Sequence, residues 1–178
     1  VCNGDEEVIK TVDKMFGMKL VTPQTGNSGK IVKRIYLEKA YKIEKEFYLC
    51  VSIDRETGGN TIITSKRGGI DIEEVAEKHP NEIFKVNISP GSDLLTHHAR
   101  TIVYNLGLTG QTAKKAQKNI LSIYKAFTSL DASMIEVNPL AVVKGGGVLI
   151  LDCKASFDDN ALYRHPDILS LTGLVVAR

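Results

Sequence analysis

Two short apolar runs, Ile135-Glu136-Val137-Asn138-Pro139-Leu140 and Leu149-Ile150-Leu151-Asp152, constrain this chain more than any other stretch. Apolar runs of this length, bounded by turn residues, are the pattern of buried strands. Lys144-Gly145-Gly146-Gly147 lies between them and supplies the glycines of a hairpin turn. The reading is two neighbouring strands, each ending in an oxygen donor: Asn138 on one, Asp152 on the other. A carboxamide and a carboxylate side by side suit a hard cation. Mg²⁺ takes oxygen ligands, keeps several waters, and commonly has one or two protein ligands beside nucleotide phosphates. Asn before Pro also opens turns, and Asp also caps strand ends. Taken by itself, the pair fits a metal site and a pair of caps alike.

The rest of the composition narrows the company this motif can keep. At 178 residues the chain has the size of one domain or two small lobes. A chain this long can bury roughly 68–70% of its unfolded surface without staples. Hydrophobic residues at 43% and charged residues at 25% are ordinary for a soluble globular protein. A net charge of +2 points to neither nucleic acid nor a membrane surface. There is no tryptophan and no basic run interleaved with aromatics, which argues against a base-stacking platform. No apolar stretch approaches the ~20 residues of a membrane span, and no signal-peptide pattern opens the sequence. Cys2, Cys50 and Cys153 are an odd, widely spaced set without a Cys-x-x-Cys pair. That favours a reducing compartment over a disulfide framework or zinc. Cys50 and Cys153 are expected in the core. Adjacent His97 and His98 point in different directions on a helix and are expected to be ordinary helix residues. The chain opens at Val1-Cys2, and a piece of a longer protein is expected.

Residues 5–15 place Val8, Ile9, Val12 and Met15 at helical spacing, with Gly17 as a stop. Residues 22–30 hold Pro23, Gly26, Asn27, Ser28 and Gly29 and predict an exposed loop. Strands are predicted over 31–38, 46–54 and 60–65, the last two joined through Gly58-Gly59-Asn60. A short helix over 71–78 stops at Pro80, and a half-exposed strand follows over 82–88. Helices are predicted over 94–106, with Leu95, Ala99, Ile102, Val103 and Leu106 on one face, and over 111–130, with Ala116, Ile120, Tyr124 and Phe127 on one face. Two strands carrying Asn138 and Asp152 come next, then an irregular or helical stretch over 161–171. Strands outnumber helices and the types come in mixed order, so the fold class is α+β.

Residues 36–49 read as a strand ending in Glu38, a polar hinge Lys39-Ala40-Tyr41, and a new strand opening near Glu46. Such a segment can offer backbone groups to a purine edge, and a carboxylate beyond it can accept hydrogen bonds from ribose hydroxyls. A plain charged hairpin has the same composition. Together with Glu136-Val137-Asn138-Pro139-Leu140 and Asp152, however, the chain resembles the ATP-grasp region of the β subunit of succinyl-CoA synthetase (succinate–CoA ligase). The resemblance is carried by Lys19-Leu20-Val21-Thr22-Pro23-Gln24-Thr25, residues 38–49, Val51-Ser52-Ile53-Asp54-Arg55, Gly68-Gly69-Ile70-Asp71-Ile72-Glu73, Leu106-Gly107-Leu108 and Ala161-Leu162-Tyr163-Arg164-His165-Pro166-Asp167. These run in family order across nearly the whole chain. Related CoA ligases, among them malate–CoA ligase and the ligase-like part of ATP-citrate lyase, share the architecture.

The resemblance implies an ATP-grasp domain over 1–170, incomplete at its N-terminus, and a tail over 171–178 that is disordered or vector-derived and has no function. The family's N-terminal segment, with a phosphate-side lysine and a glycine-rich stretch, and its C-terminal flavodoxin-like domain would lie outside this sequence. The implied activity is an acid–thiol ligase, ADP- or GDP-forming. It couples succinate, CoA and ATP or GTP to succinyl-CoA in the tricarboxylic acid cycle, through a phosphohistidine on a partner α subunit. Glu38, Lys39, Ala40 and Tyr41 would meet the base and Glu46 the ribose. Asn138 and Asp152 would hold Mg²⁺ against the phosphates, and Glu136 would face the partner's histidine loop. The implied location is cytoplasmic in a bacterium and the mitochondrial matrix in a eukaryote. The isolated chain would fold without turning over. A non-catalytic module that binds nucleotide or a subunit surface is the alternative from another class. Arg67, beside Lys66, stands where the family usually has an acidic residue.

Overall fold

Residues 1–22 and 25–171 are described by the computed structural model, and the chain divides into two compact units: 1–40 with 170–178, and 41–169. Pro23 and Gln24, and the expected tail beyond Leu171, lie outside the described residues.

In the first unit, helix α1 spans Asp5–Met15, the bounds its periodicity predicts. Asp5, Glu6 and Glu7 sit at its positive N-terminal end and Lys14 at its negative C-terminal end, where each charge is favoured. Gly17 follows in the left-handed region at φ +79. No residue of α1 is buried, and Ile9 is 61% exposed, so its apolar stripe is not a core face. Strand β1 (Lys19–Leu20) pairs antiparallel with β2 (Lys30–Ile31). The strand expected over 31–38 does not form: β2 ends at Ile31, and Val32 to Lys42 run without regular structure. The cause is the partner. β1 offers only Lys19 and Leu20, and strand-forming residue types without a ladder do not make a strand.

The second unit is built on strand β3 (Ile43–Asp54) and strand β4 (Gly59–Ser65), an antiparallel hairpin. Its turn lies over 55–58: the Asp54 carboxylate accepts the Glu56 N–H at 3.0 Å and the Thr57 hydroxyl at 2.7 Å. Gly58, at φ +70, is the one residue of the expected Gly58-Gly59-Asn60 connection inside that turn. Helix α2 (Ile72–Lys78) buries Val75, and a 3-10 turn over Pro80–Glu82 leads into β5 (Ile83–Ile88), which pairs with β4. Helices α3 (Thr96–Asn105) and α4 (Gly110–Ser129) precede β6 (Ala132–Val143), β7 (Gly147–Ile150) and β8 (Cys153–Phe157). A 3-10 turn over Asp159–Arg164 and α5 (Pro166–Leu169) close the unit. The sheet order is β5-β4-β3-β6-β7, with β8 also on β6. β8 has no counterpart among the predicted strands, because Cys153-Lys154-Ala155-Ser156-Phe157 is exposed but for Phe157 and shows no apolar run.

One face of this sheet carries the core. Phe47, Leu49, Val51, Ile62, Ile135, Val137, Leu140 and Val142 pack with Ala99, Ile102 and Val103 of α3 and Ala116, Ile120, Ile123, Tyr124 and Phe127 of α4. Each large aliphatic or aromatic side chain so buried contributes about 1.5–3 kcal/mol. The buried Tyr124 phenol is satisfied, accepting from Asn60 Nδ2 at 2.9 Å and donating to the Ser92 carbonyl at 3.4 Å. At the head of β6, Asp131 takes His165 Nε2 at 2.7 Å and an Arg164 nitrogen at 3.0 Å, fastening the 3-10 turn there.

Candidate functional site

Proline has no N–H to give a ladder, so a central strand tolerates it only at an irregularity. β6 is central, lying between β3 and the pair β7 and β8, and it contains Pro139. The register shows how this is accommodated. Phe47 faces Leu140 and Leu49 faces Val137, so Tyr48 alone stands opposite both Asn138 and Pro139. This is a β-bulge, a device that re-aims side chains. On the other side of β6 the neighbouring strand is interrupted at the same level. β7 pairs with 140–143 and β8 with 132–137, and between them Asn138 N–H donates to the Asp152 carbonyl at 3.2 Å and Leu151 N–H to the Pro139 carbonyl at 3.2 Å. The Asn138–Pro139 peptide bond is cis. The expectation that Asn138 and Asp152 are neighbours therefore holds at the level of the backbone. Their placement at strand ends does not: Asn138 is in mid-strand, because the bulge lets β6 continue to Val143.

The Asn138 side chain reaches a glycine loop. Its Oδ1 accepts the Gly69 N–H at 2.7 Å and its Nδ2 donates to the Ile70 carbonyl at 2.9 Å. The loop is pressed onto β3: Gly68 N–H donates to the Glu46 carbonyl at 3.1 Å, and a Cβ at Gly68 would stand 2.5 Å from the Phe47 nitrogen. Only glycine fits there. Gly69 adopts φ +75, and a Cβ on it would stand 3.1 Å from Glu46 Oε2. Through residues 68–70, then, Glu46 and Asn138 are held beside one loop. Arg67, just before it, forms a two-pronged pair with Glu82, at 2.8 and 3.1 Å, so the departure from the family pattern has a partner within this chain.

Glu136 lies on the sheet face opposite the core, in register with Cys50 of β3 and Lys154 of β8. Its Oε2 accepts the Tyr48 hydroxyl at 3.0 Å and its Oε1 lies 3.3 Å from Lys154 Nζ. The carboxylate side chain is 17% exposed, whereas Lys154 is 59% exposed. Burial pushes the Tyr48 hydroxyl far above its ordinary range, and neighbouring Cys50 and Glu136 push it further, so the phenol is a neutral donor. Burial likewise raises the Cys50 thiol. Cys50 is buried as expected, but Cys153 is exposed on β8, because that strand presents little apolar surface.

Glu38, Lys39 and Ala40 are exposed residues of the first unit, in the stretch without regular structure; the strand expected to end at Glu38 is absent. Tyr41, 42% exposed, and half-buried Glu46 belong to the second unit. His98 is a helix residue as expected, and its Nδ1 accepts the Leu95 N–H at 3.1 Å at the start of α3. Sequence reasoning missed Tyr48 and Lys154. The signal for both is the register: once Cys50, Glu136 and Lys154 are aligned, Tyr48 falls on the same face, two residues along β3.

The donor set suits a hard cation. It offers a carboxamide oxygen with one lone pair engaged by Gly69 and a carboxylate with a buried Oδ1 on Asp152. Oxygen ligands of this kind match Mg²⁺ rather than a thiolate- or imidazole-seeking metal. Among the described residues no cluster of three or more His, Cys, Asp or Glu forms a metal cage. Among them, too, no helix is long and apolar enough to cross a membrane.

Residues 1–142 match the family model described as the ATP-grasp domain. The β subunit of the ADP-forming succinate–CoA ligase of Nitrobacter hamburgensis is 44% identical over 166 residues, 93% of this chain and 42% of that protein. The subunit of the same name from Paramagnetospirillum magneticum is 46% identical over 171 residues, 96% of this chain and 43% of that one. The chain thus spans less than half the length of these curated relatives. Among solved structures, ATP citrate lyase from Methanothrix soehngenii in complex with citrate and coenzyme A superposes with a TM-score of 0.56 over 97% of this chain and 37% of that one. At 15% identity it is a likeness of fold.

Proposed function

This chain belongs to the ATP-grasp family, and we propose that it is the nucleotide-binding part of the β subunit of an ADP-forming succinate–CoA ligase. The reaction would convert succinate, CoA and ATP to succinyl-CoA, ADP and phosphate. The γ-phosphoryl group would pass first to a histidine of a partner α subunit. Kinship of 44–46% with subunits of that name supports the assignment. The observation that carries it to chemistry is the bulge at Asn138–Pro139, where the Asn138 backbone meets the Asp152 strand break, two residues from Glu136.

Phosphoryl transfer asks a protein chiefly for positioning and charge neutralisation. Bound Mg²⁺ would supply charge neutralisation at the phosphates. Asn138 and Asp152 would hold it. Glu38, Lys39, Ala40 and Tyr41 would contact the base and Glu46 the ribose hydroxyls. Glu136 would accept a hydrogen bond from the partner's imidazole and so orient it, as carboxylates do for working histidines. No residue of this chain then serves as a nucleophile. Residues 1–170 would act as one grasp domain.

The test uses the full-length protein assembled with its α subunit and Mg-ATP labelled in the γ position. Wild type should label a histidine, seen as an acid-labile, base-stable phosphoprotein. Asp152→Asn should lower labelling by about 100-fold or more while leaving assembly intact. Unchanged labelling in that variant would remove the metal assignment. Succinate should outperform malate and citrate as the acid that discharges the label in the presence of CoA.

A further inference from the structure

Tyr48, Glu136 and Lys154 come from three adjacent strands and meet on the face of the sheet that does not carry the core. Each oxygen of the Glu136 carboxylate has its own partner. Oε2 takes the Tyr48 hydroxyl at 3.0 Å, and Oε1 faces Lys154 at 3.3 Å. The two partners differ in kind. Lys154 is a flexible, largely exposed cation at 59% exposure, and contacts of that sort are weak and exchangeable. Tyr48 is 4% exposed, and a ring so buried is held in place by its close-packed surroundings. A glutamate side chain turns about three bonds, and a hydrogen bond from a fixed donor selects among its rotamers.

We propose that Tyr48 is a positioning residue: its hydroxyl fixes the Glu136 carboxylate in the orientation that receives the partner's histidine. The inference rests on the role given to Glu136 above. Tyr48 touches no reacting atom. It acts through Glu136, and its neutrality leaves the carboxylate's charge intact for the imidazole. Lys154 balances that charge and can swing away. The bulge contributes as well. Of the two residues of β6 that answer to Tyr48, Pro139 has no polar side-chain atom and the Asn138 amide is engaged by Gly69 and Ile70, so the hydroxyl reaches along the diagonal to Glu136.

A merely structural tyrosine would only be satisfying a buried hydroxyl, and its loss would then register in stability and not in turnover. The experiment separates the two in the full-length protein with its α subunit. Tyr48→Phe should lower kcat for histidine phosphorylation by about 10- to 100-fold, the scale of a misplaced catalytic group. The KM for Mg-ATP should stay within about twofold, and Tm should fall by no more than about 4 °C. In a Glu136→Gln background the same substitution should add no further loss, since the group it positions is gone. Glu136→Asp keeps the charge but draws it out of reach of Tyr48, and should show the same kcat loss on a fully folded protein. A wild-type kcat in Tyr48→Phe, or a full second loss in the double variant, overturns the inference while leaving Glu136 in its role. Unchanged labelling in Glu136→Gln removes the role of Glu136 itself and this inference with it.

Discussion

The two faces of the six-stranded sheet are made by the same strands and do opposite work. Along β3, Phe47, Leu49 and Val51 look into the helices, while Tyr48 and Cys50 between them look the other way. Along β6, Ile135 and Val137 belong to the core and Glu136 between them to the polar cluster. Neighbours in sequence are therefore remote in consequence. One residue holds the fold together, and the next arranges a charge. The comparison teaches that in this sheet a core residue and a site residue are separated by a single peptide unit. A change meant for one face must be judged against the other.

The sharpest way to break the comparison is to cut the core face beside a site residue. Leu49, fully buried, should cost about 2–5 kcal/mol when changed to alanine, read as a lowered urea midpoint. Tyr48→Phe, one position away, should cost about 1 kcal/mol. Equal losses would show that the two faces are not separate. Gly68→Ala comes next. Its Cβ would meet the Phe47 backbone at 2.5 Å, and main chain cannot yield as a side chain does. The loss should be about 1–3 kcal/mol, by the same denaturation. Asn138→Ala should cost about 1 kcal/mol, for the two hydrogen bonds to Gly69 and Ile70. Its sharper readout is exchange of the Gly69 amide, which should quicken once Oδ1 is gone.

The smallest effect belongs to Arg67. Its hydrogen bond holds the Glu82 carboxyl below its usual range. A depressed folded-state pKa adds stability above the ordinary glutamate value, and that gain is lost as pH falls through the depressed one. Arg67→Ala should therefore narrow the difference in unfolding midpoint between neutral and acid solution, and do little else. A large loss at neutral pH would mean that the pair organises the Gly68 loop rather than decorating it.

Much of this was legible in the residues, for identifiable reasons. α1 declared its own bounds through periodicity, and the 144–147 glycines placed the β6–β7 turn. Asn138 and Asp152 came out adjacent because that hairpin folds them together. The bulge was written there as well, as a slip of phase: Ile135 and Val137 face the core on odd positions, Leu140 and Val142 on even ones. It was masked because Ala141 and Val143, on the opposite face, are also apolar and buried. Tyr48 and Lys154 could not be found by pattern, since their meaning depends on which strands become neighbours. The strand expected over 31–38 failed for the same reason in reverse: the residues are of strand-forming types, and among the described residues no partner strand runs beside Val32 to Glu38.

The phase slip has an evolutionary reading. A regular strand needs one residue between Val137 and Leu140 to keep both in the core, and this one has two. By register, loss of Pro139 alone would leave one residue between Val137 and Leu140 and so restore regular alternation opposite β3. It would also remove the irregularity at which Asn138 reaches Gly69 and Ile70. The fold is therefore one codon deletion from a more regular pairing of β6 with β3. A grasp-like relative that had abandoned chemistry for plain binding could be recognised by that single missing residue.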